Sequence, residues 1–174
     1  VANVLSEKLI NFEAFDRVIG RIPDLVDVEL PTVETPTEEI SGAGIAGAIE
    51  SPTLGHVSPM GCTLKFRNPN PEQLKLMAPG THRIEVRGSQ QRYDASAGEY
   101  TTRPLKYVMD CVPKSSPLGT LAPGAGQETT IEFAVHYLKI FVSGKAYLEI
   151  DPKNYVYVAD GVDVQASVRS DLGL

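Results

Sequence analysis

The chain has 174 residues, with 16 Lys+Arg against 22 Asp+Glu and a formal net charge of −6. That length suits a single domain over residues 1–174, and no apolar run approaches the ~18 residues of a membrane span, so no membrane anchoring is expected. The acidic balance argues against a duplex-DNA binder held by phosphate contacts, and two Cys, three His and no Trp leave little for a disulfide scaffold, a metal site or catalysis.

Residues 1–9 carry Glu7 and Lys8 and lack the apolar core of a leader peptide. Fifteen Gly and thirteen Pro then cut the chain into short pieces, which favours strands over long helices. Residues 11–19 read as a hairpin with Asp16-Arg17 near its turn. Residues 25–30 alternate as a strand, and Pro31 and Pro36 hold the chain beyond it to an extended connection. Residues 37–60 show no clear period and almost no bulky side chain apart from isolated Ile45, Ile49 and Leu54. They read as an extended loop, and a loop of that length inside a compact domain needs a function.

Regular structure returns at residues 61–67, where Cys62, Leu64 and Phe66 share a strand face. Residues 70–78 form a short helix, capped by Asn70, started by Pro71 and stopped by Pro79-Gly80, with Leu74, Met77 and Ala78 on one face. Residues 82–92 and 99–112 are strands joined by a turn at 94–98. A long strand at 129–142 holds Ile131, Phe133, Val135 and Tyr137 on one face, then Leu138, Ile140 and Val142 on the other. Such a phase change implies a bulge, or a strand shared between two surfaces. Ser143-Gly144 turns it into residues 146–151, making a long hairpin over 129–151. A strand at 155–158 comes next, then a C-terminal helix capped by Asp163 with Val164, Val168 and Leu172 in line and Gly173 at its end. The fold class is mainly β: an antiparallel sandwich or small barrel with two short helices.

Motifs with chemistry are sparse. Gly42-Ala43-Gly44-Ile45-Ala46-Gly47 matches G-x-G-x-x-G, but no buried strand precedes it and Pro52 would stop any helix after it, so a nucleotide site is rejected. His56, His82 and His136 lack metal-ligand spacing. Cys62 and Cys111 fall on inward strand faces and read as buried free thiols. No catalytic, cofactor or metal residues are assigned. Charge is segregated: residues 1–60 hold 3 basic and 10 acidic side chains, and residues 61–114 hold 9 and 5. Oppositely charged segments can meet between copies of one chain.

In order along the chain stand Ile10-Asn11-Phe12, Val28-Glu29-Leu30-Pro31, Glu38-Glu39-Ile40-Ser41-Gly42-Ala43-Gly44, Arg87-Gly88, Tyr93-Asp94 and Pro113-Lys114. The end is most specific: Tyr137-Leu138-Lys139-Ile140, Gly144-Lys145, Leu148-Glu149-Ile150-Asp151, Asn154, Gly161-Val162-Asp163 and Arg169-Ser170-Asp171-Leu172-Gly173-Leu174. Taken together these resemble the major tail tube proteins of contractile-tailed bacteriophages and related phage-tail-like bacteriocins. Ser143 departs from the pattern, where such sequences often have Asp.

The resemblance implies a structural subunit, not an enzyme, whose hexameric rings stack into a hollow tube inside a contractile sheath. It implies a long loop or hairpin reaching neighbouring subunits. Implied partners are the chain itself, the sheath, a tape-measure protein, the baseplate or hub and a tail terminator. DNA would pass through the lumen without specific binding in a phage, and surplus acid lining that lumen would repel it. The implied location is the virion tail or bacteriocin particle, assembled in the host cytoplasm. Candidate inter-subunit contacts are Glu38, Glu39, Ile40, Ser41, Gly42, Ala43, Gly44, Ile45, Lys139, Phe141 and Lys145. A ligand-binding β-sandwich is the alternative, weakened by the lack of Trp as an aromatic platform.

Overall fold

The computed structural model describes residues 3–174; Val1 and Ala2, where the expected domain and the N-terminal reading of 1–9 begin, lie outside the described residues. Four long antiparallel strands form its spine. They are β1 (Val4–Asp16), β7 (His82–Asp94), β8 (Glu99–Ser115) and β9 (Thr129–Val142). Between β1 and β7 the chain runs through β2 (Gly20–Arg21), β3 (Leu25–Glu29), β4 (Thr37–Ser41), β5 (Ala48–Pro52), β6 (Met60–Phe66) and the helix α1 (Pro71–Leu76). After β9 come β10 (Lys145–Asp151), β11 (Val156–Ala159), β12 (Val162–Asp163) and the helix α2 (Ala166–Leu172).

Ten strands join one sheet, ordered β12-β11-β10-β9-β8-β7-β1-β2, with β3 and β6 branching off through β9. The fork is explained by β9. Its first half pairs with β6, from Met60 opposite Val135 to Phe66 opposite Thr129. Its second half pairs with β10, Leu138 standing opposite Ile150. On its other edge β8 stays throughout, but the register steps from Val135–Cys111 to Tyr137–Asp110 and leaves His136 unmatched. One extra residue bends the strand and increases its twist, so a single strand serves two layers. The phase change expected near Lys139 is this bulge, placed three residues earlier.

The two branches close on one core. Leu64, Phe66, Ile84, Met109, Cys111, Ile131, Phe133 and Leu138 are all at most 1% exposed. The sandwich form of the expected fold is therefore realised. Its small-barrel form is not, since the sheet path runs from β12 to β2 without closing within the chain.

Turns obey local chemistry. Ser143 and Gly144 have φ of 52° and 79°, the pair of left-handed residues that a type I′ hairpin turn requires. Asp16 Oδ1 accepts from the backbone N–H groups of Val18 (2.8 Å) and Ile19 (3.0 Å), ending β1 where a turn was expected.

Several expectations need correction. Residues 37–60 are not an extended loop: β4 and β5 form a separate two-stranded hairpin, and β6 begins at Met60. Strand β1 begins at Val4 and not near Asn11. In α1, Asn70 Oδ1 does accept from Gln73 N at 2.7 Å, but the helix buries Gln73 and Leu76 and leaves Leu74 52% exposed. Gln73 wins the inward place because Thr129 Oγ1 donates to its Oε1 at 2.9 Å. Asp163 does not cap α2. It accepts from Gln165 N at 3.0 Å and from the Arg169 guanidinium, while Gln165 precedes the helix without a side-chain cap. Leu172 remains exposed, so the line Val164, Val168 and Leu172 is not a core face of the chain.

Candidate assembly surfaces

The expected contact residues fall into two groups. Glu38, Glu39, Ile40 and Ser41 lie on β4, and Gly42, Ala43, Gly44 and Ile45 lie in the connection to β5, all exposed. Pairing sorts the hairpin into two faces. Ile40 stands opposite Ile49 and Glu38 opposite Ser51 on one face; Glu39 stands opposite Glu50 on the other. Ile40 and Ile49 are 43% and 53% exposed. Like charges directly opposite disfavour a strand pair, and an isolated two-stranded sheet is marginal in water. Thr37 Oγ1 donates to Glu50 Oε1 at 2.6 Å, the one side-chain bond across the hairpin among the described residues. The hairpin thus presents an unburied isoleucine pair beside three carboxylates.

The second group gathers at the β9–β10 turn. Phe141 lies under two ammonium groups, Lys106 Nζ at 4.6 Å and Lys139 Nζ at 5.3 Å from the ring centroid. Lys139 also pairs with Glu149 at 3.5 Å. Lys145 donates to Asp160 at 3.0 Å, and its Nζ lies 4.6 Å over the Tyr147 ring. No hydrogen bond or ion pair joins the hairpin group to this one among the described residues.

Around that turn, the outer face of the long sheet is charge-paired. Arg83 makes two bonds to Asp110, at 2.7 and 2.8 Å. Arg87 pairs with Glu85 and stacks 4.5 Å over Phe15. Tyr137 Oη donates to Glu149 at 3.0 Å. Burial, with that bond second, pushes the Tyr137 phenol up to about 12. Part of the expected complementarity between acidic and basic segments is also consumed inside the chain, since Lys65 bonds Glu29 at 2.6 Å and lies 3.5 Å from Asp27. Glu38 and Glu39 have no such partner among the described residues.

The inner face of the same sheet opens a groove that no sequence pattern marks. Leu9, Phe12, Val28, Leu30, Leu105 and Tyr107 line a mostly apolar cleft of about 410 Å³, with Asp27 and Gln90 also on its wall. Gly88 lies on its floor, where an added Cβ would stand 2.8 Å from Leu9 Cδ1. Farther along this face β1, β7 and β8 run on past the core as a three-stranded extension. There Arg103 bonds Gln90 Oε1 (Nε at 3.1 Å) and Ser6 Oγ (3.2 Å). Two positions beyond Gln90 on the same strand face, Arg92 buries an Nε–H with no acceptor. The partners of Arg103 are a neutral amide and a hydroxyl, while Arg92 lies close enough to Asp94, two positions along the same strand face, to help hold that carboxyl down.

The cysteines are unsuited to chemistry. Both are free and buried. Burial pushes the Cys62 thiol up to about 12 and Cys111 higher still, so both stay protonated. Among the described residues no group of three His, Cys, Asp or Glu is arranged to hold a metal, and no helix is long and apolar enough to cross a membrane.

The model of the family described as Phage tail tube protein FII matches residues 6–173. No curated protein matches the chain. Among solved structures, a chain of the PVC extracellular contractile injection system, from its sheath/tube terminator in the extended state, superposes with a TM-score of 0.55 at 14% identity, covering 76% of this chain and 94% of that one. A chain of the PVC sheath-tube complex gives 0.49 at 14% identity over 78% and 88%. A chain of the anti-feeding prophage baseplate gives 0.47 at 11% over 81% and 97%. The first of these shows a shared fold.

Proposed function

The chain belongs to the phage tail tube protein FII family, and on that premise we propose that six copies close into a ring and that rings stack into a hollow tube inside a contractile sheath. It is a structural tail tube subunit, a component of a tail or tail-like particle. Its role in this reading is mechanical, without catalysis.

The observation that carries the ring reading is the exposed β4–β5 hairpin, with its uncovered Ile40–Ile49 pair and with Glu38 and Glu39 in no ion pair among the described residues. Open strand edges support it. Beyond its pairing with β2 at Phe15 and Asp16, β1 has no strand neighbour on its outer side among the described residues. Edges of this kind invite another chain, and a head-to-tail ring satisfies them by closure. Lys139, Phe141 and Lys145 are proposed to contact a neighbouring copy, as are Glu38 to Ile45. Sheath, terminator, baseplate and a luminal tape-measure protein are the proposed partners, and assembly is proposed to occur in the host cytoplasm. DNA, where the particle is a phage, would traverse the lumen without specific contacts. The paired charges on the outer sheet face suit a surface that must not hold a polyanion.

Negative-stain microscopy of the concentrated protein tests this. Rings or hollow tubes are expected. A species that stays monomeric at high concentration, and adds no tube to baseplate seeds, would overturn the proposal.

A further inference from the structure

The β4–β5 hairpin and the groove under the long sheet carry matching patterns. On the hairpin, the Ile40–Ile49 pair is followed two residues along the same face by Glu38. In the groove, Leu105 and Gly88 are followed two residues along the same face by Arg103 and Gln90, and two further by Arg92. Strand geometry makes each two-residue step about 6.6–6.8 Å. An apolar pair with a carboxylate one step away thus faces an apolar cleft with a guanidinium one step away.

Three observations favour this pairing over the alternatives. The groove is open and mostly apolar, its one lining carboxylate, Asp27, lying 3.5 Å from Lys65, and Leu9 and Leu30 on its rim are 47% and 39% exposed. Among the described residues Arg103 bonds only neutral groups, and Arg92, though near Asp94, forms no ion pair and buries an Nε–H without an acceptor. The hairpin has the complementary excess: Glu38 and Glu39 are exposed and, among the described residues, without a cationic partner. In the isolated chain Ile40 and Ile49 remain uncovered, so the hairpin does not fill its own groove.

We propose that a second copy of this chain seats its hairpin in the groove, with Ile40 and Ile49 against Leu9, Leu30 and Leu105, and with Glu38 against Arg103 and Arg92. This rests on the reading that the chain assembles with itself, and it names the socket. The contact is heterologous: hairpin of one copy, groove of the next. It therefore repeats from copy to copy instead of ending at a dimer. Apolar seating supplies the drive and the charge pair sets the register.

Two experiments on the full chain test it. In the first, Ile40→Cys and Leu105→Cys are combined and the protein is oxidised under assembly conditions; Cys62 and Cys111 are buried and do not compete. The expected result is a ladder of disulfide-linked multimers on a non-reducing gel. In the second, Glu38→Arg and Arg103→Glu are each expected to raise the critical concentration for tube formation about ten-fold, the size of one adverse charge contact. The double variant is expected to recover most of that loss. Cross-links confined within single chains overturn the seating. So do normal tubes with no cross-link, or a double variant no better than the singles, and these leave the tube reading standing. Unmodified protein that forms neither rings nor tubes overturns the tube reading, and the seating with it.

Discussion

Replacing residues 41–48 by a two-residue Asn-Gly turn separates the hairpin's role in folding from its role in assembly. Every residue from Ser41 to Ala48 is exposed. Ile40 stands directly opposite Ile49, so a type I′ turn can close the shortened hairpin without strain. Shortening the six-residue connection to two reduces closure entropy by about 1 kcal/mol on the logarithmic loop scale. Losing the Ser41–Ala48 cross-strand pair costs about 0.5 kcal/mol at most. The net change is within about 1 kcal/mol, which moves the melting temperature of a chain of this size by about 4 °C or less. Thermal melting by circular dichroism and negative-stain microscopy form the assay. The expected result is a near-native melt with stacking lost. If this segment belonged to the core, burying Ile45 alone would be worth about 2–5 kcal/mol, and a fall in Tm of ten degrees or more would refute the reasoning. Intact tubes from the trimmed protein would refute it from the other side.

Other consequences come from the core, the turns and the charges. Leu64→Ala should cost about 2–5 kcal/mol, since Leu64 is fully buried between the two sheet branches, and urea titration reads this directly. Cys62 and Cys111 should resist a disulfide reagent at pH 8 in the native protein, and both should react once denaturant unfolds it; fast native labelling would contradict their burial. Glu13, Asp94 and Asp163 are all held below the usual carboxylate range, first by Arg21, by the Ser96 backbone N–H and by Arg169 respectively. Depressed carboxylates stabilise above their unfolded values and lose that contribution as pH falls through the folded ones. Stability should therefore hold from pH 7 to about 5 and decline below about 4, and Asp163→Asn should flatten part of that decline. Ser143→Asn should raise stability by under about 1 kcal/mol, because asparagine tolerates the left-handed conformation at φ 52° better than serine.

Strands with one wet face are legible because burial imposes a period of two. The apolar alternation over residues 129–142 marks one strand with a phase change, and β9 spans those residues with its bulge at His136. The start of β1 is not legible. Glu7 and Ile10 are unmatched where the register with β7 shifts, and each extra residue resets the alternation. The β4–β5 hairpin escapes for a different reason. It buries neither face, so no period marks it, and its only bulky pair is Ile40 with Ile49. The C-terminal helix misleads through Asp163, a good cap by type whose carboxylate is instead taken by Arg169. The groove escapes altogether, since Leu9, Val28, Leu30 and Leu105 come from separate parts of the chain and only the sheet brings them together. Family membership is most legible in the terminal run from Tyr137 to Leu174.

Native mass spectrometry joined to cryo-electron microscopy of the purified rings tests self-assembly most directly. The expected particle weighs six times the 18.8 kDa chain and averages to a six-fold ring with an open centre and continuous strand density between neighbours. A stable monomer or dimer, or a ring without an axial opening, would contradict the tube.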